Sequence, residues 1–577
     1  METLAKTQQK KSAKPLRKVT GAEAVILSLL KEGVDTLFGY PGGAIMPVYD
    51  ALYHYQDRLN HILVRHEQGA SHAAEGYARV TQKTGVCIAT SGPGATNLVT
   101  GIADAMIDST PMVCITGQVH KSLLGTDAFQ ETDIIGITMP VCKWNYQITH
   151  AGEIPEVMAK AFYLANSGRP GPVVIDISKN AQLEEVDFTY NKCRSIRSYF
   201  PKQMPKESSI IAAAEIINHA QRPLILAGHG ILLSGAQQVF RKFVEKSGIP
   251  AGSTLLGLSA LPTRHPNYVG MLGMHGNYAP NLKTNEADVI IAVGMRFDDR
   301  VTGNLKTYAK QATVIHIEID PSEINKNVKA DIPIIADAKC ALEELLQRIS
   351  PKKYPEWMRE FGMAKEIEHR EIIGPSTAPC KGPIKMAEVV ARLSEMTEGK
   401  AILTTDVGQH QMIGARYYAF DETDSWVTSG GLGTMGFALP AAFGAKVGRP
   451  EKEVVALIGD GSFQMTLQEL ATIKQTGIPI KIIILNNRFL GMVRQWQELF
   501  FEKRYSFTEM DNPEFTQISK GFGIPAEKIE KREELAAAMK RMLDSKESYL
   551  LEIMVEKEDN VFPMVPTGSC VSKVRLK

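Results

Sequence analysis

Long apolar runs are missing from this chain of 577 residues. No stretch reaches the eighteen or so consecutive apolar residues that a membrane-spanning helix needs. The basic, polar segment Lys6 to Lys18 has no apolar stretch beside it, so it does not read as a secretory signal. Cysteine is scarce and scattered, at 87, 114, 142, 193, 340, 380 and 570, an odd number without Cys-x-x-Cys spacing. That excludes a disulfide scaffold and a zinc cluster, and it points to a reducing, cytoplasmic setting. Neither sign of charge dominates: 65 Lys and Arg face 64 Asp and Glu, for a net charge of +1. No nucleic-acid or membrane-surface partner is expected from such a balance. Low-complexity tracts are absent. What remains is ordinary for a globular protein, 44% apolar and 22% charged.

The length suggests three or four domains, and three α/β blocks are visible. After a tail (residues 1–19), the first block covers 20–185. Its buried strands include Thr36–Gly39, Ile62–Val64, Val86–Ala89, Met112–Ile115 and Val173–Ile177. A polar stretch, 191–208, reads as a connection. The second block, 209–349, has strands at Leu224–Leu226, Val289–Val293 and Val314–Ile317. Residues 350–383 contain Pro351, Pro355, Pro375, Pro379 and Pro383 and read as a linker. The third block is 384–577. Helical patterns between the strands predict crossovers, hence an α/β fold of three doubly wound parallel-sheet domains. Blocks one and three share a layout, without a clear sequence repeat.

The densest motif lies in block three. Gly459-Asp460-Gly461 and Asn486-Asn487 are separated by 24 residues. The apolar run Val454–Ile458 before it and Ile480–Leu485 near its end read as buried parallel strands. Thr466-Leu467-Gln468-Glu469 has the pattern of a capping box opening a helix, which Gly477 and Pro479 would stop. Asp460 and Asn487 then sit at the carboxyl ends of two parallel strands, where open α/β sheets bind ligands. One carboxylate and one amide carbonyl suit Mg²⁺ completed by a diphosphate. Gly461 permits close approach of the backbone.

This motif resembles the signature of the thiamine diphosphate (ThDP) enzymes. Such an enzyme needs a carboxyl group at the cofactor's aminopyrimidine to stabilise the tautomer that removes the reactive proton. Glu67, in Arg65-His66-Glu67-Gln68-Gly69-Ala70, follows a strand and starts a helix. On its own it reads as a helix-start acid; beside the ThDP signature it becomes the candidate. In these enzymes the first block binds the pyrimidine and the third the diphosphate, each from a different chain, which implies at least a homodimer. Thr405–His410 and the glycine-rich Ser429–Gly436 are further candidate cofactor turns, with Met435 as an apolar wedge under a bent cofactor.

More specific motifs are Gly125–Glu131, Arg296-Phe297-Asp298-Asp299-Arg300, Gly491–Gln497 and Val561–Pro566. With Arg65–Ala70 they resemble the catalytic subunits of acetohydroxyacid synthase (acetolactate synthase) from about residue 20 to 567. That family condenses pyruvate, with loss of carbon dioxide, with pyruvate or 2-ketobutyrate, on the way to valine, leucine and isoleucine. The resemblance implies catalytic roles for Glu67, Gln130, Arg300 and Trp496. Arg300 would bind the acceptor carboxylate and Trp496 would favour the larger acceptor. Phe129, Met274 and Gly39 would shape the mouth. For ThDP it implies Gly408, Gln409, His410, Gly433, Met435, Gly461 and Ser462. For Mg²⁺ it implies Asp460, Asn487 and the Phe489 carbonyl. For FAD it implies Arg169, Gly228, Thr254, His275, Gly294, Arg296, Asp298, Glu318 and Asp337.

The residues alone support FAD weakly. Gly228-His229-Gly230 follows a strand, but Leu233 stands where a dinucleotide fingerprint has its third glycine. Glu318 and Asp320 end a strand where a carboxylate could meet a ribose. The family also forms homodimers or homotetramers and usually has a small regulatory subunit. His120 departs from the proline common among relatives, which bears on inhibitor sensitivity. A flavin-dependent pyruvate oxidase and a catabolic, flavin-free acetolactate synthase remain the alternatives.

Overall fold

A computed structural model describes residues 17–201 and 203–577. It contains three six-stranded sheets, each parallel throughout. The first has the spatial order 60–63, 36–39, 85–89, 112–118, 172–178, 144–148. The third runs 426–428, 402–405, 454–459, 481–486, 549–554, 526–529. Numbered by sequence within each sheet, both orders are 2-1-3-4-6-5, so the common layout of blocks one and three is a common topology. The central sheet runs 268–271, 251–253, 223–227, 289–293, 313–318, 332–335, which is the 3-2-1-4-5-6 order of dinucleotide-binding folds. Each sheet therefore has a switch point, and each switch point opens a crevice at the carboxyl edge.

The central strands are rich in Val, Ile and Leu because helices cover both faces. Val454–Gly459, Lys481–Asn486 and Pro172–Ser178 are buried at every position. The first and third domains also share a core. Helix Glu67–Thr81 packs along helix Ala438–Gly448, and Phe38, Ala73, Ala441 and Phe443 belong to one apolar cluster. A Cβ on Gly76 would lie 2.1 Å from the Ala441 carbonyl oxygen, so only glycine lets the two backbones approach this closely.

Three expectations need correction. Residues 1–16 of the expected tail lie outside the described residues, but Arg17–Thr20 is a strand, antiparallel to Glu185–Phe188. The proline-rich stretch at 350–383 is largely helical. Pro355 opens helix Pro355–Glu368, whose Trp357, Phe361 and Ala364 join the central core. The Trp357 indole N–H donates to the Pro223 carbonyl at 2.9 Å. Proline starts a helix here because its missing N–H falls in the first turn. The capping box at Thr466–Glu469 does not form. Helix Asp460–Thr466 precedes it, and the Thr466 hydroxyl donates instead to the Gly436 carbonyl at 2.9 Å. Among the described residues, all seven cysteines are free and no helix is long and apolar enough to cross a membrane.

Candidate active site

The switch point of the third sheet lies between Ile402–Thr405 and Val454–Gly459. Gly408, Gln409 and His410 follow the first of these strands and Asp460 follows the second. Asn487 follows Lys481–Asn486, the next strand over. Gly408, Gln409, His410, Met435, Asp460, Gly461, Ser462, Asn487 and Phe489 line a single small cavity. The spacing read from the sequence thus places the candidate metal and diphosphate residues together.

Asp460 is nearly fully buried, and burial pushes its carboxyl up to about 6 despite its hydrogen bonds. Its Oδ2 accepts from Asn512 Nδ2 at 2.7 Å, and Asn512 Nδ2 also lies 3.1 Å from Asn486 Oδ1. Asn487 Oδ1 accepts from the Phe489 N–H at 3.1 Å, which fixes the amide with its oxygen turned towards that turn. A buried carboxylate lacking a counter-charge beside an amide oxygen is the donor chemistry of a hard divalent cation, so the residues fit Mg²⁺. His410 Nε2 is buried without a hydrogen-bond partner, and this cavity adjoins it. Asn512 escaped the sequence reading because it comes from a loop 52 residues beyond Asp460 and matches no local pattern.

A cleft of about 1200 Å³ opens next to this cavity and shares Val407, Gly408 and Met492 with it. The cleft runs over the carboxyl edge of the central sheet. Arg169, Thr254, His275, Gly294, Arg296, Asp298, Glu318 and Asp337 line it, as do Gly433, Met274, Arg300 and Trp496. Gly228 stays outside it, packed against the Gly294 carbonyl. His229 and Ser109, which the sequence reading did not single out, belong to the lining.

The cleft's polar groups suit a dinucleotide. His275 Nδ1 is buried and unpartnered. Burial and the nearby Arg416 and Arg300 drop the His275 imidazole to about 3, so it is neutral. Arg169 pairs with Glu323 at 3.1 Å and Asp320 at 3.3 Å, and its Nε donates to the Ser109 hydroxyl oxygen at 2.8 Å. Glu318 accepts from the Ile319 and Asp320 N–H groups at 2.9 and 3.1 Å. Burial raises its carboxyl to about 7.

That shift gives a test. A raised carboxyl stabilises the fold below its unfolded pKa and loses that contribution as pH climbs through about 7. Glu318→Gln keeps the acceptor oxygen and removes the titration. The difference in melting temperature between variant and parent, both flavin-free, should therefore grow in the variant's favour from pH 5 to pH 8 (about 4.3 to about 7 being the titrating window). A constant difference would contradict it.

Arg300 is held by its backbone, not by its charge. Asp298 caps helix Asp299–Thr302 by accepting from the Arg300 and Val301 N–H groups. The guanidinium is mostly exposed, 3.7 Å from Asp299 and from the Met274 sulfur. It remains available for a carboxylate. Trp496 packs beside Phe500, with ring centroids 5.2 Å apart.

Glu67 lies elsewhere. It starts helix Glu67–Thr81 at the carboxyl edge of the first sheet, and its Oε2 accepts from Asn97 Nδ2 at 2.9 Å. It lines neither cavity, and neither do Gly39, Phe129 and Gln130. Gln130 has a positive φ of 59° in a loop where the neighbouring Phe129 ring is 88% exposed. Within one chain the metal motif and the candidate activating acid therefore do not line the same cavity, and each lies at the carboxyl edge of its own sheet.

Three segments match thiamine pyrophosphate enzyme domains: the N-terminal TPP binding domain at 19–137, the central domain at 210–345 and the C-terminal TPP binding domain at 406–553. The chain is 46% identical over 557 residues to the acetolactate synthase large subunit of Lactococcus lactis, covering 96% of both. It is 45% identical over 561 residues to the acetolactate synthase isozyme 2 large subunit of Escherichia coli, covering 97% of this chain and all of the other. The large subunit from Corynebacterium glutamicum is 46% identical, across 98% of this chain and 91% of its own. Three domains matched in order, three parallel sheets and identity at this level along almost the whole length have one explanation: the chain belongs to the acetolactate synthase large-subunit family of thiamine pyrophosphate enzymes.

Proposed function

We propose that this protein condenses pyruvate with a second 2-keto acid, pyruvate or 2-ketobutyrate, releasing carbon dioxide and forming 2-acetolactate or its ethyl homologue. The observation that carries the reading is the meeting of Asp460, Asn487 and the helix start Gly408–His410 in one cavity that adjoins the cleft lined by Arg300 and Trp496. When bound, ThDP supplies the nucleophilic carbon and the electron sink for decarboxylation. The chain supplies position, charge and exclusion of water.

Asp460, Asn487 and the Phe489 carbonyl would hold Mg²⁺, and the ion would hold the diphosphate. Gly408, Gln409, His410, Gly433, Met435, Gly461 and Ser462 would surround the cofactor. Glu67 would exchange a proton with pyrimidine N1′, reaching a cofactor held by a second chain, since Glu67 does not line the cavity of its own chain's metal motif. The working unit is then a homodimer or a pair of dimers with shared sites. Arg300 would orient the acceptor through its carboxylate. Trp496 would give the larger 2-ketobutyrate side chain an apolar wall, and Gln130, with Phe129, Met274 and Gly39, would border the entrance.

FAD suits the central cleft, where the residues named for it other than Gly228 converge. We assign it a structural role, since the condensation has no net oxidation. The relatives are named large subunits, and a smaller regulatory subunit is the matching inference. The chain would act in the cytoplasm, in branched-chain amino-acid biosynthesis.

The test is a product assay on purified protein with pyruvate, Mg²⁺ and ThDP, with and without FAD. Acetolactate without oxygen uptake is the expected result. Oxygen consumption without acetolactate would favour the oxidase reading. Full activity in a colourless protein would favour the flavin-free type.

A further inference from the structure

Glu469 has no part in the roles assigned so far, yet its carboxylate joins the third domain to the first directly beside Glu67. It ends the short 3₁₀ turn Leu467–Glu469, directly after the helix that Asp460 begins. The side chain is buried. Its Oε1 accepts from the Arg65 and His66 backbone N–H groups, both at 3.1 Å, and its Oε2 from the Thr472 hydroxyl at 2.7 Å. The two amides immediately precede Glu67.

The surroundings are shaped for this contact. A Cβ on Gly69 would lie 2.5 Å from Glu469 Oε1, so glycine is what leaves room for the carboxylate. Arg65 Nη2 donates to Gln475 Oε1 at 2.5 Å, a second tie to the same segment. On the other side of Glu67, Asn97 holds the acid itself. Helix Glu67–Thr81 then continues into the close packing on Ala438–Gly448. The backbone that presents Glu67 is thus gripped by its own chain's third domain, its two amides through one carboxylate.

We propose that Glu469 is a positioning residue for Glu67: it fixes the Arg65–His66 turn so that the Glu67 carboxyl meets the cofactor at the correct angle. The inference rests on reading Glu67 as the activating acid. A catalytic acid must be held within fractions of an ångström of its productive geometry, and a buried carboxylate accepting two backbone N–H groups does this more firmly than packing alone.

Glu469→Leu removes the acceptor at similar volume, and Glu469→Gln keeps one oxygen in place. In Glu469→Leu, proton exchange at C2 of the bound ThDP should slow at least about tenfold, a part of the roughly hundredfold or more that a placed acid–base group contributes. Turnover should fall with it, KM for pyruvate should change little, and calorimetric Mg²⁺-dependent ThDP uptake should persist. Glu469→Gln should recover most of the exchange rate. Unchanged exchange in a folded Glu469→Leu protein would overturn the proposal, as would loss of cofactor uptake in both variants.

A mixed dimer separates this idea from the shared-site reading. One chain carries Glu67→Gln and the other Asp460→Ala, so that only one site can combine an intact Asp460 with an intact Glu67. Activity in that control supports sites shared between chains. Glu469→Leu should then cost more on the chain that donates the intact Glu67 than on the other. Equal loss from either chain would overturn the positioning role. An inactive control would overturn the shared-site reading, and the exchange rate of the uniform Glu469→Leu protein would then decide the role of Glu469 by itself.

Discussion

Glu67→Gln is expected to lower turnover at least about a hundredfold at saturating pyruvate, the loss that follows removal of a placed acid–base group. That is about 2.7 kcal/mol on the barrier. The substitution is close to isosteric, and a glutamine oxygen can still accept from Asn97 Nδ2, the hydrogen bond that now holds the carboxylate at 2.9 Å. Fold and cofactor uptake should therefore persist, and what disappears is the ability to exchange a proton with the pyrimidine. Steady-state kinetics together with calorimetry separate the two effects. Near-normal turnover would refute the assignment. Loss of folding with loss of turnover would show instead that Glu67 serves the helix start.

The second large effect is expected from Asp460→Ala. The carboxylate is the only charged group among the candidate metal ligands, and its removal also strips Asn512 of a 2.7 Å acceptor. Partners that merely orient a metal ligand are typically worth about tenfold to a hundredfold in affinity or activity, so loss of the anionic ligand itself should exceed about a hundredfold. Titrating the apo protein with ThDP in the presence and absence of Mg²⁺ reads this directly. The parent should bind the cofactor only with the ion, whereas the variant should show no ion-dependent uptake. Equal uptake by both proteins would remove the metal from the scheme. Flavin content should be the same in parent and variant, because Asp460 does not line the central cleft.

Much of this was readable from residue order because the informative contacts are local. Val454–Ile458 is an unbroken apolar run and Ile480–Leu485 is apolar but for Lys481, and the residues after two parallel strands must emerge on the same sheet edge. Asp460 and Asn487 followed from that rule without any long-range knowledge. Short or polar edge strands were harder: Trp426–Thr428 and Ala526–Ile529 carry little periodicity, and only pairing defines them. Thr466–Glu469 misled for a different reason. Its pattern is that of a local cap, but Glu469 bonds to residues 404 and 403 positions away. The proline-rich stretch misled because prolines at 351 and 355 were read as breaks, whereas Pro355 begins a helix whose apolar side fits the central core. Resemblance to a family supplied the residues expected at FAD, and all of them but Gly228 line one cleft.

The equal strand order of the outer domains has a consequence for how labour is divided. At corresponding strand ends, the first domain has Thr90 and Val119 where the third has Asp460 and Asn487. Neither Thr90 nor Val119 brings an anionic oxygen, so under the proposed roles one half would hold the ion and the other would supply the proton-exchanging acid. On that reading each is a specialist, and a solitary copy would own both skills on edges that do not share a cavity.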